Sequence, residues 1–361
     1  MAQATRKKLS FQFSKILLKW HMDSNSRQMP WRGEKDPYKI WVSEIILQQT
    51  RVEQGLKYYE NFINAFPNIN ELAKADDQKI YKYWEGLGYY SRCRNLIETA
   101  RYVSSNLNGK FPEQYDEIKR LKGIGPYTSA AIASFAFNQS YAVVDGNVFR
   151  LISRIFGIDK PIDSTEGKAF FTTFADKLLD KQNPGVYNEA IMDFGAVICK
   201  PVPCCQQCPF RNNCQAFKND RIVSLPVKTK KIVIRKRWFD YILFEHQGMW
   251  AIRQRNGKDI WNNLFEFMLI ESNAQLSNKE KVLEEARKRG WLEQSEFETR
   301  SYSEIFKQQL THQHIEGRFM KIMLQQKPAL PKDVIWVKKA QIRNYAFPKF
   351  INQYLLRSEL N

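Results

Sequence analysis

A Gly-Ile-Gly-Pro hairpin leading into an apolar helix, within the stretch 121–145, constrains the fold more than any other segment. Glycine adopts backbone angles that other residues avoid, so Gly123 and Gly125 predict a tight turn. Pro126 suits the first position of the helix that follows, and the residues before the hairpin predict another helix. The unit is a helix, a hairpin and a helix, whose free backbone N–H groups suit a phosphate. An ordinary loop between two helices is the alternative.

The charge of the chain indicates its class of partner. A net charge of +18 in 361 residues favours a polyanion, most simply nucleic acid, although a merely basic protein is the alternative. The length allows two domains. No apolar run approaches the roughly 20 residues that span a bilayer, and the basic N-terminus lacks the apolar core of a signal peptide. We therefore expect a cytoplasmic protein without a membrane partner.

Five of the six cysteines fall between 199 and 214. This clustering is too tight for an ordinary disulfide framework and is typical of a metal site. Structural zinc usually takes two cysteine pairs separated by a longer loop. All the candidate ligands here lie in one compact stretch, which favours an iron–sulfur cluster over zinc.

Glu44 lies in a predicted helix over 38–65. Of the four residues three and four positions away, three are apolar, so the carboxyl should lie near a buried face. Burial would raise its pKa and keep it protonated near neutral pH, as a general acid requires. A position at the edge of the apolar stripe, reaching water, is the alternative. The polar triplet one turn on, Gln48, Gln49 and Thr50, could read base edges or line a groove, or it could form a solvated face.

Asp145 and Tyr89 are candidates for contact with nucleic acid. Asp145 follows the hairpin, where a carboxylate could reach a backbone sugar, or it belongs to a plain Asp-Gly turn. Glu189 is an acid flanked by apolar residues. Tyr89 begins a helix after a Gly-rich turn and could stack on bases, although packing is the commoner use.

The C-terminal part of the chain changes character. Lys228–Arg237 carries six positive charges and no acid, which indicates either a solvated face or a path for phosphates. From Trp238 onward, short strands alternate with helices. Ser277 and Glu280 form a capping box for a helix that ends at Gly290. The HQH sequence over 312–314 is a metal pair, a set of hydrogen-bond donors or a turn. This part predicts a separate α+β domain.

Together these segments resemble the adenine DNA glycosylases of the MutY type. The matches are PWR with PYKIWVSEIILQQTRV, then GLGYYSRCRNL, LKGIGPYTSAAI, VVDGNVFR, the cysteine run and LPVKTKK, in this order over essentially the whole chain. Each motif alone is weak to moderate, whereas their joint order and spacing are highly specific.

The resemblance implies two domains. The first, over 1–219, is an all-α helix–hairpin–helix glycosylase domain with a 4Fe–4S cluster in the loop 199–214. A basic linker over 220–237 leads to a C-terminal α+β nudix-like domain over 238–361. The implied activity is removal of adenine mispaired with 8-oxoguanine or guanine in double-stranded DNA, during base excision repair, by a monomer associated with the bacterial nucleoid.

The resemblance also implies a role for individual residues. Glu44 matches the acid that protonates the departing adenine, and Asp145, supported by Asn147, matches the carboxylate that faces the sugar cation. Tyr127 replaces the lysine that related strand-cleaving glycosylases carry, which predicts a monofunctional enzyme. The remaining matches are the adenine pocket and DNA contacts, Arg32, Gln49, Thr50, Tyr89, Gly123, Gly125, Glu189, Leu310, Thr311 and His312, and the cluster ligands, Cys199, Cys205, Cys208 and Cys214.

The chemistry supports two carboxyls independently of the resemblance. Adenine is a poor leaving group as an anion, so an acid must protonate it. The sugar left behind is an oxocarbenium-like cation that a carboxylate must face, as in sugar hydrolases. Neither group can reach the bond inside a duplex, so the base must be flipped out.

The chain departs from the family pattern in three places. Five residues, not six, separate Cys199 from Cys205, and Cys204 is an extra thiol; we favour Cys205 as the second ligand. The lesion loop has Leu-Thr-His where many members have Phe-Ser-His. The acidic cluster that holds magnesium in nudix hydrolases is incomplete around Glu284, so we expect the second domain to recognise DNA without hydrolysing nucleotides.

Two other functions fit parts of the pattern. One is a helix–hairpin–helix glycosylase that acts on mismatched thymine, and the separate second domain with its HQH loop argues against it. The other is an iron–sulfur DNA-binding protein without catalysis, and the presence of both Glu44 and Asp145 argues against it.

Overall fold

The computed structural model describes residues 2–27, 29, 32–48, 52–229, 233–276, 278–292 and 296–358. The chain divides into two compact units. Met1–Lys74 and Asn95–Lys230 form the first, and Ala75–Arg94 and Lys231–Asn361 form the second. No helix in the described ranges combines the length and hydropathy needed to cross a membrane.

Helices make up the regular structure of the chain before the sheet begins. In chain order they are α1 (Ala2–Ser24), α2 (Pro37–Leu47), α3 (Val52–Ala65), α4 (Ile69–Lys74), α5 (Asp77–Trp84), α6 (Tyr90–Asn106), α7 (Tyr115–Arg120), α8 (Pro126–Phe137), α9 (Gly146–Phe156), α10 (Thr165–Leu178), α11 (Pro184–Val197) and α12 (Gln215–Lys218).

The prediction of one helix over 38–65 is wrong. The chain leaves the helical conformation at Gln48, whose ψ is 112°, and α3 starts at Val52. The Gln48 side chain donates to Thr128 Oγ1 at 3.1 Å, a contact with α8 that local periodicity does not encode. Gln49 and Thr50 lie outside the described residues.

The core of the first unit joins α1 to the cysteine-rich loop. Phe13 of α1 is fully buried and stacks on Phe210 with ring centroids 5.0 Å apart. Phe194 of α11 meets Phe210 edge-on at 5.4 Å. Aromatic side chains bury large areas, and such paired arrangements add to the stabilisation. The loop that carries the cysteines is thus held against α1 and α11.

In the described part of the second unit, eight strands form one mixed sheet. The strands are β1 (Arg235–His246), β2 (Met249–Gln254), β3 (Phe265–Glu266), β4 (Met268–Ser272), β5 (Phe297–Tyr302), β6 (Phe306–Gln309), β7 (Gln313–Leu324) and β8 (Val334–Lys338), with helices α13 (Lys279–Lys288) and α14 (Lys349–Ser358). The main order is β3-β2-β1-β7-β5, and β4, β6 and β8 pair with β1, β7 and β2.

The pair β1 and β7 is parallel, with Arg235 opposite Gln313. The other pairs described are antiparallel. Successive side chains of a strand face opposite sides of a sheet. On one side, Ile242 and Ile322 pack with Val282 of α13. On the other, Phe319 packs against aromatic residues of α14.

The helix α13 begins one residue later than the predicted capping box. Asn278 is its N-cap and accepts a hydrogen bond from Lys281 N at 3.0 Å. Ser277 lies outside the described residues. Gly290 ends the segment with a φ of 74°, in the left-handed region that favours glycine.

The predicted linker is partly held in place. Leu225 is buried, and Thr229 N donates to Asp163 in the first unit. The expectation that 228–237 forms a solvated basic face is wrong for Arg237. That side chain is buried and donates to both Asp259 and Glu271.

Candidate functional site

A cavity of about 630 Å³ opens in the first unit between α2, α8, α9 and α11. Glu44, Tyr127, Asp145, Asn147 and Glu189 all line it, so these predicted residues lie together. Its volume falls in the range of pockets that enclose a small organic ligand. The space accommodates a group of the size of a nucleobase.

Glu44 sits on the inward face of α2 and is only 7% exposed, so its side chain does not reach bulk water. Burial raises the pKa of Glu44 to about 7 because it disfavours the charged form. The Tyr127 hydroxyl lowers that pKa, and the negative charge of Asp145 raises it. Glu44 is therefore protonated in a large share of molecules near neutral pH.

Asp145 is the N-cap of α9. Its Oδ1 accepts from Val148 N at 2.8 Å, and its Oδ2 accepts from the Asn147 side chain at 3.0 Å. Burial raises the pKa of Asp145 above its usual value, and these two donors and the charge of Arg150 offset part of that rise. A helix N-terminus also favours a negative charge. The site thus contains one carboxyl that tends to stay neutral and another with donors that support its anion.

Arg150 connects Asn147 to the cysteine-rich loop. One of its terminal nitrogens donates to Asn147 Oδ1 and to the Gly195 carbonyl, both at 2.8 Å, and its Nε donates to the Cys199 carbonyl at 2.7 Å. Gly195 allows this approach, because a Cβ there would lie 2.7 Å from Asn147 Cβ. The support of Asp145 is thereby continuous with the loop that bears the thiols.

Tyr127 is the second residue of α8, and its hydroxyl donates to Met192 Sδ at 3.2 Å. Burial raises the pKa of this hydroxyl well above its ordinary value, and the negative charges of Glu44 and Asp145 raise it further. Tyr127 therefore remains a neutral phenol and offers no amine.

One wall of the cavity is a network of charges that the sequence analysis overlooked in part. Arg32 donates from Nε to Glu189 and from a terminal nitrogen to Asp193 at 2.7 Å. Arg27 and Asn25 also donate to Asp193. Glu189 and Asp193 lie four positions apart on α11, a spacing that places both on one face of a helix. That spacing was the available signal for Asp193.

The hairpin needs only one of its two glycines. Gly123 has a φ of 77°, and a Cβ there would lie 2.6 Å from Asn95 Cβ. Gly125 has a φ of −92°, and a Cβ on it would meet nothing within 4 Å. The prediction that both glycines adopt special angles is wrong for Gly125. It is the N-cap of α8 and has no side chain to cap the helix, so the first N–H groups there suit an anion.

Tyr89 and the predicted lesion loop meet within the second unit. Tyr89 is 44% exposed, has a φ of 47° and hydrogen-bonds through its hydroxyl to Thr311 Oγ1 at 2.6 Å. Leu310 N donates to Gln313 O, which closes the tip of the β6–β7 hairpin. His312 is exposed, and its carbonyl accepts from Arg235 N.

His314 takes part in side-chain hydrogen bonds rather than in a pair with His312. Its ring nitrogens lie 2.7 Å from Gln309 Oε1 and 3.2 Å from Glu316 Oε1. On the nudix-like helix α13, the acids bind lysine. Glu284 and Glu285 both contact Lys288 at 3.0 Å. These contacts satisfy carboxylates that a magnesium site would use.

All six cysteines are free thiols. Cys199, Cys205, Cys208 and Cys214 line one small cavity, whereas Cys204 does not. Within the described ranges, no group of three or more His, Cys, Asp or Glu side chains is placed so that it could hold a metal ion. Arg154, only 3% exposed, places a terminal nitrogen 3.7 Å from Cys199 Sγ. The four cysteines that line this cavity, beside a buried cation, are of the residue type that binds an iron–sulfur cluster.

Comparison with known proteins places the two units in known classes. Residues 42–172 match the family described as HhH-GPD superfamily base excision DNA repair protein, and residues 241–357 match a NUDIX domain. The chain is 35% identical over 258 residues to the adenine DNA glycosylase of Buchnera aphidicola subsp. Schizaphis graminum, covering 71% of this chain and 74% of that protein. It is 39% identical over 214 residues to human adenine DNA glycosylase, covering 56% of this chain and 39% of the human protein.

Solved structures show the same helical fold. A thermostable thymine-DNA glycosylase aligns with a TM-score of 0.55 and 30% identity, over 59% of this chain and 98% of that one. A trapped endonuclease III–DNA covalent intermediate aligns with a TM-score of 0.52 and 18% identity, over 60% of this chain and 98% of that one.

Proposed function

This chain belongs to the adenine DNA glycosylases, and we propose that it is a monofunctional enzyme, active as a monomer, that excises adenine paired with 8-oxoguanine or guanine. Its family establishes a hydrolytic DNA N-glycosylase of base excision repair. One observation carries the proposed mechanism. Glu44 and Asp145 line the same cavity, the pKa of Glu44 is raised to about 7, and the Asp145 carboxylate accepts hydrogen bonds from Val148 N and the Asn147 side chain.

The proposed reaction assigns one task to each carboxyl. The flipped adenine enters the cavity, and Glu44 donates its proton to a ring nitrogen of the base. The bond between C1′ and the base breaks, and its electron pair leaves with adenine. The Asp145 carboxylate faces the sugar cation until a water adds to C1′ and releases a proton. The products are free adenine and an abasic site. Flipping costs a few kcal/mol, least for a mispaired base.

The test is single-turnover excision from defined duplexes, developed with alkali. Duplexes would carry adenine opposite 8-oxoguanine, guanine and thymine. We expect release from the first two, and its loss in Glu44→Gln and Asp145→Asn with duplex binding retained. Glu98→Gln is the matched control, because Glu98 lies outside the cavity and pairs with Lys122 on the surface. Wild-type rates in both cavity variants would overturn the mechanism.

Recognition of 8-oxoguanine is assigned to the Leu310–His312 loop together with Tyr89. The exposure of Tyr89 and its hydrogen bond to Thr311 support this, since an exposed aromatic ring stacks on bases. We expect Thr311→Ala and His312→Ala to reduce the preference for 8-oxoguanine over guanine opposite adenine. Lys307→Ala, in the strand before the loop, is the control. An unchanged preference in both loop variants would remove the loop from recognition.

A second candidate base is thymine mispaired with guanine. The similarity to a thermostable thymine-DNA glycosylase favours it. That similarity covers 59% of this chain, whereas the adenine-specific relative from Buchnera covers 71%. A duplex with thymine opposite guanine belongs in the same assay. Faster release of thymine than of adenine would make thymine the substrate.

We propose that the enzyme leaves the strand uncut. Tyr127 has no amine, and Lys35, the lysine among the described residues that line the cavity, donates to the Phe135 carbonyl at 2.8 Å. A Schiff base requires an unprotonated amine at C1′. Borohydride should therefore trap no covalent complex, and strand cleavage should require alkali. A trapped complex that disappears in Lys35→Gln would reverse this assignment.

We propose that Cys199, Cys205, Cys208 and Cys214 hold a 4Fe–4S cluster. When bound, the cluster would fix the loop 199–214 through its thiolate bonds. The guanidinium of Arg154, next to Cys199, would offset part of the negative charge of the thiolates. We expect Cys205→Ser to lose iron and the visible absorbance of the cluster, and Cys204→Ser to retain both. The reverse result would make Cys204 the ligand.

The C-terminal unit is assigned to DNA recognition without nucleotide hydrolysis. Glu284 and Glu285 are engaged by Lys288, which leaves the acidic set of α13 poorly placed to bind magnesium. We expect no turnover of nucleoside triphosphates by the full-length protein in magnesium. Turnover that depends on Glu285 would overturn this. The basic chain should also bind duplexes more weakly as salt rises, because phosphate contacts release counterions.

A further inference from the structure

We propose that Asp193 is a positioning residue that fixes Arg32, and through Arg32 also Glu189, as the base-reading wall of the cavity. The inference rests on the proposed function, because it concerns how the same cavity selects adenine. Asp193 matches none of the residues to which the sequence analysis gave a role. Its place is defined by contacts between α11 and a segment more than 160 positions earlier in the chain.

Three side chains converge on this one carboxylate. Arg27 donates to Oδ1 at 2.6 Å, and Arg32 and Asn25 donate to Oδ2 at 2.7 and 2.8 Å. Asp193 is only 5% exposed. Hydrogen bonds between charged groups are the strong ones, and paired guanidinium groups fix geometry as well as energy. Both oxygens of Asp193 are therefore occupied, and the residue holds its neighbours instead of exchanging protons with a substrate.

The wall that Asp193 holds has little regular structure of its own. Between the end of α1 at Ser24 and the start of α2 at Pro37, the described residues form one turn and chain without regular secondary structure. Arg27, Met29 and Arg32 of this segment line the cavity. Without an anchor, such a segment samples many conformations, and ordering it costs about 1–2 kcal/mol per residue. The three bonds to Asp193 supply the anchor.

Arg32 and Glu189 form a donor beside an acceptor. Arg32 Nε donates to Glu189, and the same guanidinium donates to Asp193. A flipped base is read on its Watson–Crick edge, where adenine presents an acceptor, N1, next to a donor, the 6-amino group, whereas guanine presents the N1–H donor next to the O6 acceptor. A donor and an acceptor held side by side suit adenine and oppose guanine. Asp193 holds Arg32 beside Glu189, because it accepts a hydrogen bond from Arg32 and its negative charge also balances the guanidinium of Arg27.

The decisive readout is the ratio of excision rates for adenine and for unsubstituted purine. Purine keeps all the ring nitrogens of adenine, including N1, and lacks only the 6-amino group, so it tests reading by the wall separately from protonation of the base. In Asp193→Asn we expect adenine excision opposite 8-oxoguanine to fall by roughly 100-fold, the loss associated with misplaced positioning groups. Purine excision should fall less, so the adenine-to-purine ratio should drop. A purely structural role would lower both rates together.

Asp176→Asn is the matched control. Asp176 also holds part of the first unit, by accepting from Ala142 N at 3.1 Å, and it does not line the cavity. Its neutralisation should lower stability and leave the ratio unchanged. A ratio that drops equally in both variants would overturn the inference.

The double variant tests whether Asp193 acts through Arg32. If it does, Arg32→Gln should lower the ratio by itself, and Asp193→Asn with Arg32→Gln should be no worse than Arg32→Gln alone. Multiplicative losses would contradict the inference. Because Arg32 is partly exposed, Arg32→Gln keeps the test available should Asp193→Asn unfold.

Amide hydrogen exchange separates this inference from the proposed function. Residues 25–35 should exchange faster in Asp193→Asn than in the wild-type protein, whether or not adenine is released. Unchanged exchange in that segment would defeat the inference alone. A wild-type protein that releases no adenine from any duplex would defeat the proposed function alone.

Discussion

Arg150→Gln tests whether Asp145, the carboxylate that we propose to be catalytic, and the cysteine loop depend on one side chain. Arg150 donates to Asn147 Oδ1, to the Gly195 carbonyl and to the Cys199 carbonyl at 2.7–2.8 Å. Glutamine is shorter and cannot reach all three acceptors. The change should therefore release Asn147 from its support and loosen the chain at Cys199.

The expected loss of stability follows from these contacts. A hydrogen bond that involves a charged group contributes about 1.5–3 kcal/mol. Arg150 is only half-buried, so water replaces part of what the three bonds supply. We expect the free energy of unfolding to fall by roughly 3 kcal/mol, less than the sum of three such bonds.

The same change should alter the pH dependence of excision. The charge of Arg150 lowers the pKa of Asp145, whose burial raises it. Removing that charge raises the pKa of Asp145. Because the proposed mechanism requires an ionised Asp145, the decline of the single-turnover rate on the acid side should then begin at a higher pH than in the wild-type enzyme.

The assays are urea unfolding, iron content and the pH profile of adenine release. Arg221→Gln is the control, since Arg221 is a surface residue 3.5 Å from Asp159. We expect Arg150→Gln to lose stability and iron and to shift the acid limb, and Arg221→Gln to change none of these. Wild-type iron content together with an unshifted acid limb would refute the connection.

Two other predictions concern single side chains. Gly123→Ala should destabilise the first unit by roughly 1–2 kcal/mol or more, since alanine disfavours a φ of 77° and its Cβ would clash with Asn95. A lower urea midpoint with weaker binding to undamaged duplex would agree, and an unchanged midpoint would not. Arg237→Met should destabilise the second unit by roughly 3 kcal/mol, because it leaves Asp259 and Glu271, each about one-third exposed, without their shared cation. Tryptophan fluorescence during urea unfolding measures this, and a stability equal to that of Arg235→Met would contradict it.

The family and the two-part fold class could be predicted from the sequence, and the comparisons confirm both. The order and spacing of several short motifs carried that prediction. Local chemistry also placed the N-terminus of α8 well, because Pro126 marks it directly. The N-cap of α13 was predicted one residue too early, since Asn278 takes the position expected for Ser277.

The network around Asp193 was not predictable from periodicity. Its partners Asn25, Arg27 and Arg32 are distant in sequence, and charges on a helix face are usually solvated. Only the folded chain brings them to one carboxylate. The same limit applies to the break at Gln48, which depends on a contact with Thr128.

The strand β7 contains a glycine whose presence is explained only by a contact with another strand. Its buried residues alternate along much of its length. Gly317 occupies one of the buried positions, and a strand rarely carries glycine without reason. Here a Cβ would lie 1.9 Å from the Phe239 carbonyl of the parallel neighbour. The reason for that glycine therefore lies on another strand.

The pH profile of single-turnover adenine excision tests the central claim most directly. Burial raises the pKa of Glu44 from 4.5 to about 7. An acid with a raised pKa is protonated below that value and loses its proton as the pH rises through it. The account predicts that the rate falls above pH of about 7, by about tenfold per pH unit. A rate that stays constant well above neutral pH would show that no acid with this pKa protonates the departing base.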